Sequence, residues 1–159
     1  MELLTGESTV VRQSVEIKSA RNAKELPFKN ERQLEDWLFK QSKMISKAIG
    51  EEIRITGRQV ETDFEYACDL VAESKKNFYP IELKIGQTNH SVVSQIQKYC
   101  FYFYRKLRYD RYKKVQGIVL ANGFCPYSIN ELRQQGTRIF EVCNDQKSVI
   151  RLDEIRSMS

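Results

Sequence analysis

The feature that most constrains the fold is a pair of apolar, β-prone segments joined by a short polar segment. Residues 64–72 form the first segment, residues 74–77 are a polar turn cluster, and residues 78–85 form the second. Both segments are the length of ordinary strands, and the residues between them are typical of a turn. The pattern therefore predicts two antiparallel strands that form a hairpin.

Acidic and basic side chains interrupt both predicted strands. Asp69 lies on the first, and Glu82 and Lys84 lie on the second. Side chains alternate along a strand, so Glu82 and Lys84 share one face, and the hairpin brings Asp69 beside Glu82. Glu and Lys two residues apart are common on solvated surfaces, but an Asp on an apolar strand is costly unless it has a partner. These residues alone leave both a site and a surface face open.

Two acids and a lysine in this arrangement are typical of sites that hydrolyse phosphodiesters with Mg²⁺. Hard cations prefer carboxylate oxygens, which Asp69 and Glu82 supply. The cation makes its bound water more acidic and offsets the charge that develops on the phosphate. Lys84 supplies a positive charge for the water or the scissile phosphate. Mn²⁺ has the same ligand preferences, so the predicted cofactor is Mg²⁺ or Mn²⁺.

Two predicted helices flank the hairpin and carry further polar candidates. The first covers residues 31–48, with Glu35 at the border of its apolar stripe. The second covers residues 91–108, with Gln95 and Tyr99 one turn apart on one face. Glu35 is either directed toward the sheet or an ordinary first-turn acid favoured by the helix dipole. Gln95 and Tyr99 either bind a phosphate or orient a carboxylate, or they form an ordinary surface pair.

The second helix and the residues after it are rich in basic and aromatic side chains. Basic side chains neutralise phosphates, and aromatic faces stack on unpaired bases. Helical spacing instead favours core positions for several of the aromatic side chains. We therefore expect mainly core aromatics and a basic tip that contacts nucleic acid. The basic candidates are Lys98, Arg105, Lys106, Arg108 and Lys113.

The order of these motifs resembles the PD-(D/E)XK nuclease superfamily, and within it the RecB-type and NucS-type nuclease domains most. The resemblance covers about residues 30–143. The matching segments are Leu34-Glu35-Asp36-Trp37-Leu38, Asp69-Leu70-Val71-Ala72, Tyr79-Pro80-Ile81-Glu82-Leu83-Lys84 and Gln95-Ile96-Gln97-Lys98-Tyr99. Two positions depart from the pattern: Tyr66 stands where these families often have Gly, and Cys68 stands at the place of the name-giving Pro.

The resemblance implies a restriction-endonuclease-like fold and a metal-dependent nuclease that acts on DNA. It implies that Asp69 and Glu82 bind the metal, that Lys84 assists the attacking water, and that Glu35 completes or tunes the metal site. Gln95 and Tyr99 would help to place the DNA backbone. Glu31, one helical turn before Glu35, is a rival for its role. The alternatives are a nucleic-acid-binding module with an inactive nuclease-like site and, less favoured, an interaction subunit.

Composition and length set the remaining expectations. The 159 residues suffice for one domain with its own core, and 41% hydrophobic and 30% charged residues fit a globular protein. No apolar run could span a bilayer, and the first residues lack the blocks of a signal peptide, so we expect a cytoplasmic protein. The four cysteines show no close pairing that would predict a zinc site. The net charge of +5 at pH 7 favours encounters with polyanions.

The predicted organisation is an N-terminal arm at residues 1–29, with a strand and a linker, and a nuclease-like domain at residues 30–159. The element order α-β-β-β-α-β-α-β predicts an α/β fold with a mixed central β-sheet flanked by helices. Asn122-Gly123 is predicted as a turn, and Ser128 as the cap of a short helix. The DNA partner is left open between single-stranded, branched and duplex forms. A homodimer also stays open, because cutting both strands needs two sites.

Overall fold

The computed structural model describes residues 26–107, 113–144 and 149–156. The strand predicted in the N-terminal arm and the basic candidate Arg108 therefore lie outside the described residues. Within them, the helices and strands are α1 (Glu31–Leu38), α2 (Ser42–Ile49), β1 (Arg54–Val60), β2 (Cys68–Glu73), β3 (Asn77–Gln87), α3 (His90–Lys106), β4 (Lys114–Val115), β5 (Ile118–Gly123), α4 (Pro126–Gln134), β6 (Arg138–Asn144) and β7 (Ile150–Ile155).

The strands form one mixed seven-stranded sheet, which confirms the predicted fold class. Its order is β1-β2-β3-β5-β6-β7, and the short β4 pairs with β3. Strands β1, β2 and β3 are antiparallel neighbours, β3, β5 and β6 are parallel, and β7 returns antiparallel to β6. The predicted hairpin is confirmed, with Leu70 paired to Ile81. One residue back along β2 and one residue further along β3, Asp69 lies opposite Glu82.

Helices cover both faces of the sheet. Helices α1 and α2 bury Leu34, Leu38, Ile45 and Ile49 in one core cluster, together with strand residues such as Ile81. Helices α3 and α4 contribute to a second cluster, which includes Val92, Ile96, Phe103 and Leu132. The alternation along β3 places Ile81 and Leu83 in the first cluster, so Glu82 is directed to the opposite face. None of the described helices is long and apolar enough to cross a membrane.

The helix predicted for residues 31–48 is in fact two helices. Asn30 caps the first, since its Oδ1 accepts a hydrogen bond from the Gln33 N–H at 3.0 Å. Gln41 leaves the helical conformation at φ −115° and ψ 41°. The break lets α1 pack on β3 while α2 packs on β7, so that both apolar faces are buried against the twisted sheet.

The strand predicted from residue 64 begins only at Cys68. The side chains of Thr62 and Tyr99 form hydrogen bonds with backbone groups that a longer strand would pair with its neighbour. Thr62 Oγ1 donates to the Tyr66 carbonyl at 3.2 Å and accepts from the Phe64 N–H at 3.1 Å. The Tyr99 hydroxyl donates to the Ala67 carbonyl at 2.9 Å. Residues 61–67 therefore form an irregular segment that leads directly into the strand of Asp69.

Two further local predictions are wrong. Asn122 and Gly123 continue β5 rather than turning, because Gly123 pairs with Gln87 and the Asn122 side chain accepts from the Gly86 N–H. Cys125, not Ser128, caps α4, since its sulfur accepts from the Ser128 N–H at 3.4 Å. Residues 149–156 contain the strand β7.

Candidate active site

Asp69 lies at the beginning of β2, and backbone and side-chain donors fix its carboxylate. The Leu83 N–H donates to Oδ2 at 2.8 Å, and Gln59 Nε2 donates to Oδ1 at 3.0 Å. Burial raises the pKa of Asp69 above its ordinary value, the two hydrogen bonds oppose this shift, and the negative charge of Glu35 adds to it. Asp69 is therefore a partly buried acid whose orientation is set before any ligand arrives.

Glu82 is the most unusual polar side chain of the site. It is 3% exposed, and its Oε2 lies 3.3 Å from the Lys84 ammonium. No described N–H or O–H group donates to its buried Oε1, and a hydrogen bond between the Glu82 and Asp69 carboxyl groups contributes to the raised pKa of Glu82. Burial raises the pKa of Glu82 to about 8, and the negative charge of Asp69 contributes to this shift. A buried carboxylate oxygen without a partner is costly, and a bound cation would remove that cost.

Glu35 reaches this pair only indirectly. Its Oε2 accepts from Arg58 Nε at 2.7 Å, and its Oε1 accepts from Gln59 Nε2 at 2.6 Å. In the described part of the chain, no three His, Cys, Asp or Glu side chains come together as a metal-binding group. The structure thus brings Asp69 and Glu82 together and places the Gln59 amide between Glu35 and Asp69.

Glu31 also comes near this end of the sheet, because its Oε2 accepts a hydrogen bond from the Ile85 N–H at 3.0 Å. Its contact is with the backbone of β3, beyond Lys84 in the chain. Glu31 therefore fixes α1 to the strand of Glu82, whereas Glu35 is linked through Gln59 to Asp69. Of the two rival acids, Glu35 has the connection to the candidate metal-binding pair.

Gln59 and Arg58, which no sequence pattern had indicated, connect β1 to the acids. Gln59 has φ +48°, a left-handed backbone conformation that is uncommon for a residue other than Gly. The register of β1 against β2 shifts between Ile55 and Gly57. A glycine inside a strand is the one sequence signal that indicates such a bulge, and bulges redirect side chains. Here the irregular strand directs the Gln59 amide at two carboxylates.

Replacing Gln59 with Glu is expected to destabilise the protein. The substitution exchanges an amide donor for a third carboxylate between Glu35 and Asp69, so two hydrogen bonds are lost and like charges face each other. We expect the free energy of unfolding in EDTA at pH 8 to fall by about 1–3 kcal/mol. Chemical denaturation would measure it, with Gln97→Glu, at an exposed position of α3, as the control. Equal stability of the two variants would contradict the bridging role of Gln59.

Gln95 and Tyr99 support the site from α3. Tyr99 is 1% exposed, its hydroxyl donates to the Ala67 carbonyl at 2.9 Å, and Gln95 Nε2 donates to the same hydroxyl at 3.3 Å. Burial raises the pKa of Tyr99, and the charge of Glu82 raises it further. Tyr99 therefore positions the segment that leads into β2 and lies inside the protein. Gln95, which is half-buried, is the member of the pair nearer to solvent.

The predicted basic candidates do not form one group. Lys98, Arg105 and Lys106 occupy exposed positions on α3. Lys113 lies apart from them, because its ammonium contacts Glu73 Oε1 at 2.7 Å and the Ser74 carbonyl at 2.9 Å. Glu73 ends β2 at the opposite end from Asp69, so Lys113 anchors the far end of the hairpin. A DNA contact by Lys113 would require this ion pair to open.

The sequence matches no protein-family model and no curated protein. Two solved structures share its fold. A repair endonuclease from Pyrococcus abyssi has a TM-score of 0.59 and 18% identity, over 72% of this chain and 47% of that chain. EndoMS in complex with double-stranded DNA has a TM-score of 0.58 and 16% identity, over 69% of this chain and 43% of that chain.

The chain thus spans just under half the length of the proteins it matches. At these identities the similarity establishes the fold alone. The chain has the restriction-endonuclease-like fold, a mixed sheet between helices, so the resemblance stated from the sequence motifs is confirmed for the fold.

Proposed function

We propose that this protein is a metal-dependent nuclease that hydrolyses phosphodiester bonds in DNA. One observation carries the proposal: the partly buried Asp69 lies beside the buried Glu82, whose Oε1 accepts no hydrogen bond from a described N–H or O–H group, and the Lys84 ammonium lies 3.3 Å from Glu82 Oε2. Folding alone gains nothing from such an arrangement, because burying two carboxylates side by side is unfavourable. Perturbed acids of this kind are typical of functional sites.

The acidic pair fits Mg²⁺ or Mn²⁺. Both cations prefer oxygen ligands, and Asp69 and Glu82 would hold the ion. When bound, the ion offsets the charge of the phosphate and makes water a stronger nucleophile. Two carboxylates leave much of a cation's coordination to water and substrate, which is usual for Mg²⁺ in phosphoryl chemistry.

The chain's own side chains would then orient the reactants. The Leu83 N–H and Gln59 hold the Asp69 carboxylate in place, so little reorganisation is needed during the reaction. Lys84 provides a donor and a positive charge beside Glu82, from which it can hold the attacking water or a phosphate oxygen. The water oxygen forms a bond to phosphorus while the bond from phosphorus to the leaving oxygen breaks.

DNA as the substrate is supported by two observations. The two fold relatives are described as a repair endonuclease and as EndoMS bound to double-stranded DNA. In this chain, α3 places Lys98, Arg105 and Lys106 on its exposed side, and such a surface attracts a polyanion. Helix α3 also carries Tyr99, which lies close enough to Glu82 for the charge of that acid to raise the tyrosine pKa.

The first test is cleavage of labelled single-stranded, duplex, flapped and four-way-junction DNA, and of RNA, with Mg²⁺, Mn²⁺ or EDTA. We expect DNA cleavage that needs the cation and is lost in Asp69→Ala. Glu52→Ala, which removes an exposed acid remote in the chain from the hairpin, is the matched control and should retain activity. DNA binding without cleavage under every condition would overturn the proposal and support a binding module with an inactive site.

A further inference from the structure

Helix α3 exposes aromatic side chains on the face opposite its core contacts. Val92, Ile96 and Phe103 are buried against the sheet. Phe101 and Tyr104, by contrast, are 56% and 65% exposed. The sequence had indicated mainly core positions for the aromatic side chains of this helix. The structure separates them, and the two exposed rings lie one turn apart, where their side chains are neighbours on the helix surface.

Cationic side chains accompany the aromatic rings of this helix. The Arg105 guanidinium lies 5.5 Å from the centre of the Phe101 ring, and the Lys106 ammonium lies 5.7 Å from the centre of the Tyr102 ring. Arg105 Nη1 is also 3.8 Å from Asp63 Oδ2, which restrains the guanidinium beside the ring. Asp63, Tyr102, Arg105 and Lys106 line a groove of about 320 Å³. Alternating rings and cations make a surface that is complementary to stacked bases and phosphates.

This surface lies on the same helix as Gln95 and Tyr99 of the candidate active site. Gln95 marks the end near the site through its hydrogen bond to Tyr99. With a rise of about 1.5 Å per residue, Phe101 lies about 9 Å and Tyr104 about 14 Å further along the axis, and at about 3.6 residues per turn Tyr104 lies on the opposite side of the helix from Gln95. Between them, the Lys98 ammonium lies 5.9 Å from the centre of the Phe64 ring, in the segment that leads to Asp69. Together with the contact between Arg105 and Asp63, this contact places the cationic side of the surface beside the segment that leads to Asp69.

We propose that Lys98, Phe101, Tyr104 and Arg105, here called the α3 surface, bind an unpaired stretch of the nucleic acid beside the cleavage site. Phe101 and Tyr104 stack on bases, and Lys98 and Arg105 contact phosphates. The bases of an intact duplex stack on each other, so their faces are closed to side chains, and a surface for duplex alone would need only the cations. The cations beside the rings favour a polyanion over an apolar protein partner. The location beside a cleavage site rests on the proposed function, but the binding itself does not.

The test is the binding of labelled oligonucleotides, followed by fluorescence anisotropy in EDTA. Three probes share one sequence: a single strand, its duplex, and a single strand with abasic positions. Phe101→Ala and Tyr104→Ala should each weaken single-strand binding roughly tenfold, because stacking contributes about that much per base. Binding to the duplex should stay within about twofold. The wild type should bind the abasic strand more weakly than the intact single strand. On the abasic strand, Phe101→Ala and Tyr104→Ala should weaken binding little further, because the bases on which the rings stack are absent.

The matched control is Tyr127→Ala, which removes a ring of similar exposure, 48%, from α4. It should leave single-strand affinity unchanged, and thermal unfolding should show that all variants are folded. Unchanged single-strand affinity in the Phe101→Ala, Tyr104→Ala double variant would overturn the inference. A change of oligomeric state in that variant without loss of DNA affinity would also overturn it, since another protein surface would then be the partner.

Cleavage, measured separately, distinguishes the two proposals. Ring-dependent single-strand binding without any metal-dependent cleavage refutes the proposed nuclease and retains the α3 surface. If the protein cleaves DNA in a metal-dependent way but its single-strand affinity does not depend on Phe101 and Tyr104, the proposed nuclease is supported and binding by the α3 surface is refuted. Lys98→Ala and Arg105→Ala should reduce the salt dependence of single-strand binding by about one released counterion each, which identifies their partners as phosphates.

Discussion

Without divalent cations, the protein is expected to lose several kcal/mol of its free energy of unfolding as the pH rises from about 4.5 to about 8. The cause is Glu82, whose pKa is raised by burial from 4.5 to about 8. In this pH range the unfolded chain releases the Glu82 proton, whereas the folded protein retains it. Rising pH therefore favours the unfolded chain, at about 1.4 kcal/mol for each unit of pKa difference. The raised pKa of Asp69 acts in the same direction.

Chemical denaturation in EDTA at a series of pH values would measure this dependence. Glu82→Gln keeps the shape of the side chain without its charge, so the variant should show a much flatter profile and exceed the wild type in stability at pH 8. Glu52→Gln, at an exposed acid, should retain the wild-type profile. Added Mg²⁺ should restore wild-type stability near pH 8, because a ligand that binds only the folded state stabilises it. Coincident profiles for the wild type and Glu82→Gln would show that Glu82 ionises normally.

The elements that the sequence predicted well depend on local patterns. The hairpin of β2 and β3 follows from two β-prone segments and a polar turn, and strand alternation alone separates Glu82 from Ile81 and Leu83. The placement of Asp69 opposite Glu82 follows from the hairpin register. The order of the strands in the sheet, in contrast, was not predicted, since parallel neighbours such as β3 and β5 are distant in the chain.

The features that the sequence did not predict depend on contacts between distant segments. Glu35 and Gln59 are 24 residues apart, and their hydrogen bond forms only because the irregular β1 approaches α1. The segment before Cys68 is equally strand-like in composition, but side-chain hydrogen bonds from Thr62 and Tyr99 capture its carbonyls. The periodicity of α3 identified buried Phe103, but it did not settle which neighbouring rings face solvent.

Glu82→Gln and Asp69→Asn are each expected to reduce metal-dependent DNA cleavage by roughly 10³-fold or more. Both substitutions preserve the volume of the side chain but remove a negative charge from the pair that would hold the cation. The loss of charge stabilisation in the transition state accounts for an effect of this size. Lys84→Met should lose roughly 10²-fold or more, because the aliphatic side chain remains while the donor and the charge are removed.

Stability and activity should change in opposite directions in Glu82→Gln, and this separates a catalytic defect from a folding defect. The variant loses cleavage although it is more stable than the wild type at pH 8 in EDTA.

Glu73→Gln is a suitable second control, since it alters an acid of the same hairpin that pairs with Lys113 at the far end. It should cost some stability and leave cleavage nearly unchanged. Wild-type cleavage by Glu82→Gln would contradict the proposed nuclease site, because the buried acid would then have no part in the reaction. The combined result, a more stable and inactive Glu82→Gln beside a less stable and active Glu73→Gln, is expected only if Glu82 is retained for its chemistry at a cost in stability.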